Sequence, residues 1–146
     1  MPPATSILWL VVEDDENDFI LLQRACGRVQ PQPRLLRLQN GMQAREYLAR
    51  FSQPVDVHIA DRPALILSDI KMPQLDGFQL LEWIRTQPEL RAVPFIFISS
   101  SNLQIDRDRA HALQADGYLV KPPAFPILVQ ILQDLTAGHP PAEPGS

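Results

Sequence analysis

A single cysteine, Cys26, leaves no partner for an internal disulfide. It falls within an apolar helical pattern and reads as a reduced, packed thiol rather than a reactive one. Long hydrophobic runs are missing too. The longest strongly apolar stretch, Ile7 to Val12, has 6 residues, against the roughly 20 that span a bilayer. No basic-then-apolar signal pattern opens the chain, so the expected location is the cytoplasm. Lys and Arg form no stripe, the net charge is −4 and the pI about 5.3, which argues against a nucleic-acid surface. His58, His111 and His139 are scattered over a loop, a helix and the tail, supporting neither a metal site nor a catalytic triad. No solenoid-length repeat occurs, and low complexity is confined to the C-terminal end.

What is present suits one α/β domain. With 146 residues, 45% hydrophobic and 21% charged, the chain can bury a full core. Residues 1–6 read as a leader, 7–137 as the domain and 138–146 as a Pro-rich disordered tail. Ile7 to Val12 is apolar throughout, as a central parallel strand should be. A helix follows with Phe19, Leu22, Cys26 and Val29 on one face. Arg34 to Gln39 predicts a short strand, and Gly41 opens a helix carrying Met42, Ala44, Tyr47, Leu48 and Phe51. Ser52 to Pro63 has no sustained period and reads as a loop before a strand ending at Ser68. Asp76-Gly77 can cap a helix with Phe78, Leu81 and Ile84 inward and Leu80 flanking, ending near Gln87 before Pro88. Pro94 to Ser99 is another buried strand, Asp106 to Ala115 a polar helix, and Gly117 to Val120 a last strand. Phe125, Leu128, Leu132 and Leu135 mark the final amphipathic helix. Trp9 and Trp83 read as structural. Five strands alternating with five helices imply a doubly wound sheet of parallel strands.

Asp69 stands out within Leu65-Ile66-Leu67-Ser68-Asp69-Ile70-Lys71-Met72-Pro73, where an aliphatic strand runs into an acid and a turn. In open α/β sheets ligands collect beyond the carboxyl ends of the strands. Parallel strands would gather Glu13, Asp14, Asp69, Ser99, Ser100 and Lys121 at that edge. Three carboxylates about 6 Å apart repel by roughly 3 kcal/mol per pair at an effective dielectric of 20. A cation should offset this, and all-oxygen ligation points to Mg2+. Asp69 could then act as a nucleophile forming an acyl phosphate, with the metal and Lys121 neutralising charge. Blander readings exist for each residue. Glu13 and Asp14 would suit a helix dipole, Ser99 and Ser100 a strand-end cap, and Tyr118 plain packing on an edge strand.

The motifs Val12-Glu13-Asp14-Asp15, Ser68-Asp69-Ile70-Lys71-Met72-Pro73 with Asp76-Gly77, Ile98-Ser99-Ser100 and Ala115-Asp116-Gly117-Tyr118-Leu119-Val120-Lys121-Pro122 occur in order. Together they resemble the receiver domain of two-component response regulators over roughly Ile7 to Leu135, and within it the small stand-alone, phytochrome-associated type. The resemblance implies strand order 2-1-3-4-5 (flavodoxin-like) and Asp69 as phosphoacceptor. It implies a Mg2+ site of Glu13, Asp14, Asp69 and the Lys71 backbone carbonyl, with Asp14 the more direct ligand. Ser99 and Lys121 would contact the phosphoryl group, and Ser99 with Tyr118 would form a switch. Glu13 stands where the family often has a second Asp, and Ser99 where it often has Thr; both keep the oxygen needed. Asp15 has no such role and reads as a helix-start acid. A cis bond is implied between Lys121 and Pro122.

Three function classes then compete. The first is a signalling switch phosphorylated by a sensor histidine kinase or a histidine phosphotransfer protein. Its output would be an unknown partner, a homodimer through the fourth helix, fifth strand and fifth helix, or onward relay of the phosphoryl group. Such a switch is no enzyme beyond its own phosphorylation and dephosphorylation. The second class is an aspartyl-phosphate hydrolase, which needs an acid/base Asp two residues after the nucleophile, where this chain has Lys71. The third is an interaction module independent of phosphorylation, which the intact Glu13, Asp14, Asp69, Ser99 and Lys121 argue against.

Overall fold

A computed structural model describes residues 7–52, 61–121 and 124–138. Five strands, β1 (Leu8–Val12), β2 (Arg34–Leu38), β3 (Leu65–Ser68), β4 (Phe95–Ser99) and β5 (Gly117–Val120), pair in parallel in the order β2-β1-β3-β4-β5. Between and after them lie α1 (Glu16–Cys26), α2 (Gly41–Ala49), α3 (Gly77–Arg85), α4 (Gln104–Ala112) and α5 (Phe125–Thr136). This is the doubly wound architecture and strand order expected. Expectations for the leader, for 53–60 including His58, for the Lys121–Pro122 bond and for the tail from 139 lie outside the described residues.

The sheet apart from its edge strand β2 is buried on both faces because β1, β3, β4 and β5 are apolar at consecutive positions that alternate sides. Leu10, Val12, Ile66, Phe95, Phe97 and Tyr118 face one core, into which α2, α3 and α4 send Leu48, Leu80, Leu81, Ile84 and Ala110. Trp9, Val11, Leu65, Leu67, Ile96 and Leu119 face the other, closed by Leu22, Ala25 and Cys26 of α1 and by Leu128, Ile131 and Leu132 of α5. Cys26 is buried, and desolvation pushes its thiol up to about 12, which keeps it protonated and inert. Trp9 is buried in the sheet, whereas Trp83 lies partly covered under the Arg45 guanidinium, 5.3 Å from the ring centroid.

Element ends differ from the periodicity by one to three residues. Ile7 is exposed and precedes β1. Val29 packs in the core beyond the end of α1, and Phe51 sits in a 3-10 turn (Arg50–Ser52) after α2. α4 begins two residues before Asp106 and ends at Ala112, because Gln114 turns into the left-handed region at φ 64° and Ala115 bonds back to Ala110. Its pattern misleads because only Ala110 is buried, while Leu103 and Ile105 are exposed.

The segment after β3 is held by a close backbone approach. The Gly77 N–H donates to the Ile70 carbonyl at 2.8 Å, and a Cβ at Gly77 would lie 2.2 Å from the Asp69 carbonyl oxygen and 3.0 Å from the Phe97 ring. Asp76 caps α3 in a capping box with Gln79, which fixes the helix start against Asp69. Gly77→Ala should therefore cost about 1–3 kcal/mol of stability through overpacking. Urea unfolding would measure it as a lowered midpoint.

Candidate functional site

The register brings the sequence-predicted residues to one edge. Val12 pairs with Ser68, Ser68 with Phe97, and Ser99 with Val120, so the residues following β1, β3, β4 and β5 emerge together. Ladder bonds continue one step past the strands: Asp69 N–H donates to the Val12 carbonyl at 2.9 Å, Glu13 N–H to Leu38 at 2.9 Å and Lys121 N–H to Ser99 at 2.8 Å. These bonds hold the backbones of Glu13, Asp69 and Lys121, so their side chains project from a rigid base.

At the centre the Lys121 ammonium donates to three carboxylates, bonding Glu13 Oε1, Asp18 Oδ2 at 2.9 Å and Asp69 Oδ2 at 3.0 Å. Burial alone would lower the lysine's pKa, but these bonds outweigh it and hold the group above the ordinary lysine range. Glu13 is nearly buried, and desolvation pushes its carboxyl up to about 8. The Lys121 bond opposes that rise and neighbouring Asp69 adds to it. One ammonium facing three carboxylates leaves excess negative charge, so the lysine does not complete the site. Glu13 Oε2 is buried with no hydrogen-bond partner. Oxygens of Glu13, Asp14 and Asp69 lie within 4.8 Å of one another. An all-carboxylate set with an orphaned buried oxygen fits a hard, oxygen-seeking cation. Among the described residues this is the one group of its kind. A cavity of about 40 Å3 also adjoins Glu13, Asp18, Asp69 and Lys121, with Leu22, Leu67 and Leu128 beneath.

The Asp69 carboxylate is held at both oxygens, since Oδ1 accepts from the Ile70 N–H at 2.7 Å. Lys71 is exposed in the following loop. Further along, Gln74 adopts φ 70° while the Leu75 N–H reaches the Pro73 carbonyl at 2.9 Å, a tight turn in a region that non-glycine residues seldom occupy. Ser99 is buried, its Oγ accepting from the Ser101 N–H at 3.1 Å, and Ser100 is exposed. The Tyr118 ring is buried, and its hydroxyl donates to the Ser101 carbonyl at 2.8 Å. The Arg107 guanidinium lies 5.1 Å from that ring's centroid. Packing and a link to the loop after β4 are thus combined in Tyr118. Asp15 is the cap of α1, its carboxylate accepting from the Asp18 N–H at 3.0 Å.

Two residues escaped the sequence reading. Asp18, not singled out by any motif, lies in the first turn of α1 and reaches Lys121 from 103 positions away. Arg37 donates from Nε to the Glu13 carbonyl at 3.0 Å and from Nη2 to the Asp14 carbonyl at 3.2 Å, and its guanidinium lies 5.5 Å from the Phe19 ring centroid. It clamps the backbone that carries the acid pair. A charged residue near the carboxyl end of an apolar strand was the signal that singled out Asp69, and Arg37 in β2 carries the same one.

Glu13 holds its proton more tightly folded than unfolded. Between the ordinary carboxylate range and about 8 the native state carries the extra proton, and this residue's contribution to stability falls as pH rises. In a chelator, Glu13→Gln should therefore gain on the unsubstituted protein from pH 5 to pH 8, by about 1–3 kcal/mol at the upper end. Urea unfolding at several pH values checks it, and parallel pH profiles would contradict it.

Comparison with known proteins places this geometry in a family. The model of the response regulator receiver domain matches residues 9–133. Response regulator Rcp1 of Synechocystis is 28% identical over 126 residues, which is 86% of this chain and 84% of that protein. The phosphorylated cyanobacterial phytochrome response regulator RcpA matches with TM-score 0.76 and 28% identity over 90% of this chain and 91% of its own. The Mn(2+)-bound form of Rcp1 matches at 0.74 and 27% over 90% and 92%. The bacteriophytochrome response regulator RtBRR matches at 0.73 and 28% over 97% and 84%. Among the described residues no helix is long and apolar enough to cross a membrane. With the family model spanning most of its length, the chain belongs to the response regulator receiver domains of two-component signalling.

Proposed function

We propose that this receiver accepts a phosphoryl group on Asp69 from a histidine-phosphorylated partner, a sensor kinase or a phosphotransfer protein, in a Mg2+-dependent reaction in the cytoplasm. The observation that carries the reading is the Lys121 ammonium on Asp69 Oδ2, in a cluster left short of positive charge. Glu13, Asp14, Asp69 and the Lys71 carbonyl would hold the metal, a role favoured by the orphaned Glu13 oxygen and by Mn2+ in the structure of Rcp1. Bound there, Mg2+ would neutralise charge on the transferring phosphoryl oxygens.

The protein's own part is positioning and charge compensation. An Asp69 oxygen attacks phosphorus, a P–O bond forms, the P–N bond of phosphohistidine breaks, and the imidazole leaves with the electron pair and takes a proton. Oδ1 is tied to a backbone N–H and Oδ2 to the Lys121 ammonium, which together fix the plane of the carboxylate toward the incoming group. Ser99 would donate its hydroxyl to a phosphoryl oxygen, giving up its contact with Ser101 and loosening the loop that Tyr118 grips. The face of α4, β5 and α5 would carry the signal to an output protein or a second copy, and exposed Ile105 on α4 and Ile127 on α5 offer apolar points of contact. Water attack at phosphorus later releases phosphate and restores Asp69. On this reading the chain's chemistry is limited to its own phosphorylation and dephosphorylation.

Acetyl phosphate with Mg2+ should add the mass of one phosphoryl group to the protein, and Asp69→Asn or chelation should abolish the adduct. An adduct retained by Asp69→Asn would refute the assignment. Lys71, exposed two residues from Asp69, would bear on the attacking water, so Lys71→Ala should change the adduct's lifetime in a chase experiment.

A further inference from the structure

We propose that Asp18 is an exchangeable tether for Lys121. It holds the ammonium while Asp69 is free and yields its place when Asp69 carries a phosphoryl group, and so tunes how fast the site charges and how long the charge lasts. The inference rests on Asp69 as the phosphoacceptor. A lysine ammonium has three N–H donors, and here all are committed, to Glu13, Asp18 and Asp69. A phosphoryl group brings new acceptor oxygens and more negative charge to the same place. For Lys121 to answer it, one existing bond must be surrendered.

Exposure decides which. The Glu13 side chain is 6% exposed and already has one oxygen without a partner, so releasing it would leave both of its buried oxygens unbonded. Asp69 bears the new group itself. The Asp18 side chain is 42% exposed, and water can replace the lysine there at little cost. Asp18 also sits in the first turn of α1, three residues after the cap, where the helix dipole stabilises a carboxylate that has lost its partner. At this position an acid commonly turns back to bond the cap residue's N–H. Asp18 reaches across to Lys121 instead, which ties the start of α1 to the end of β5.

Asp18 therefore opposes phosphorylation in two ways, by occupying a donor that the phosphoryl group needs and by placing a negative charge beside it. Removing it should speed charging and slow hydrolysis, because Lys121 then attends the phosphoryl group without competition. With acetyl phosphate at saturating Mg2+, Asp18→Asn and Asp18→Ala should each charge faster and lose phosphate more slowly by about two- to fivefold, the scale of a partly exposed ion pair. Asp18→Glu, which can rebuild the bond, should return both rates toward those of the unsubstituted protein. Rates unchanged in Asn and Ala variants that show normal thermal unfolding would overturn the tether and leave Asp18 a helix-start acid. Slower charging would overturn it as well. Absence of any Asp69 adduct in the unsubstituted protein would instead remove the reading on which the tether rests.

Discussion

One lysine among three carboxylates is the constraint on which this receiver turns. Lys121 follows the last strand, Asp69 the central strand β3 and Glu13 the first strand, and Asp18 lies in the helix after it. A single ammonium joins segments more than a hundred residues apart, and without it the carboxylates would only repel. Yet it is outnumbered, and Glu13, desolvated by burial and beside Asp69, holds its proton to unusually high pH. The cluster is thus left short of positive charge, with one buried carboxyl oxygen still unbonded.

The rest of the fold serves the placement of those side chains. In β1, β3, β4 and β5 no charged residue falls within the strand, so their charge appears only where they end, whereas the partly exposed edge strand β2 carries Arg34 and Arg37. The sheet then aligns the ends, through ladder bonds that continue to Glu13, Asp69 and Lys121. Gly77, too close to Asp69 to tolerate a side chain, brings the start of α3 against that residue. Arg37 closes the far side by gripping the carbonyls of Glu13 and Asp14. The tight turn at Gln74 lies between these supports, the kind of position at which backbone strain is tolerated because surrounding contacts hold it.

Sequence patterns reported the sheet well because a two-sided strand leaves an unmistakable apolar run, as at Leu8–Val12 and Phe95–Ser99. They served α4 poorly, since a helix that buries only Ala110 has little periodicity to detect. Cap chemistry was legible where the side chain acts on its neighbours, at Asp76. Where the partner lies far along the chain, as for Asp18, nothing in the neighbouring residues names it.

Composition and strand pattern alone thus determined a parallel α/β sheet with acids, hydroxyls and a lysine following its strands, because burial and periodicity are written in consecutive residues. Tertiary structure decided which of these groups touch. It chose Asp18 over its equally acidic neighbours as the third partner of Lys121, left one Glu13 oxygen without a bond, and set Arg37 behind the acid pair. The first question is answered by local preference. The second depends on distances of a few ångströms between segments that only the closed fold brings together, and so does the meaning of Asp69.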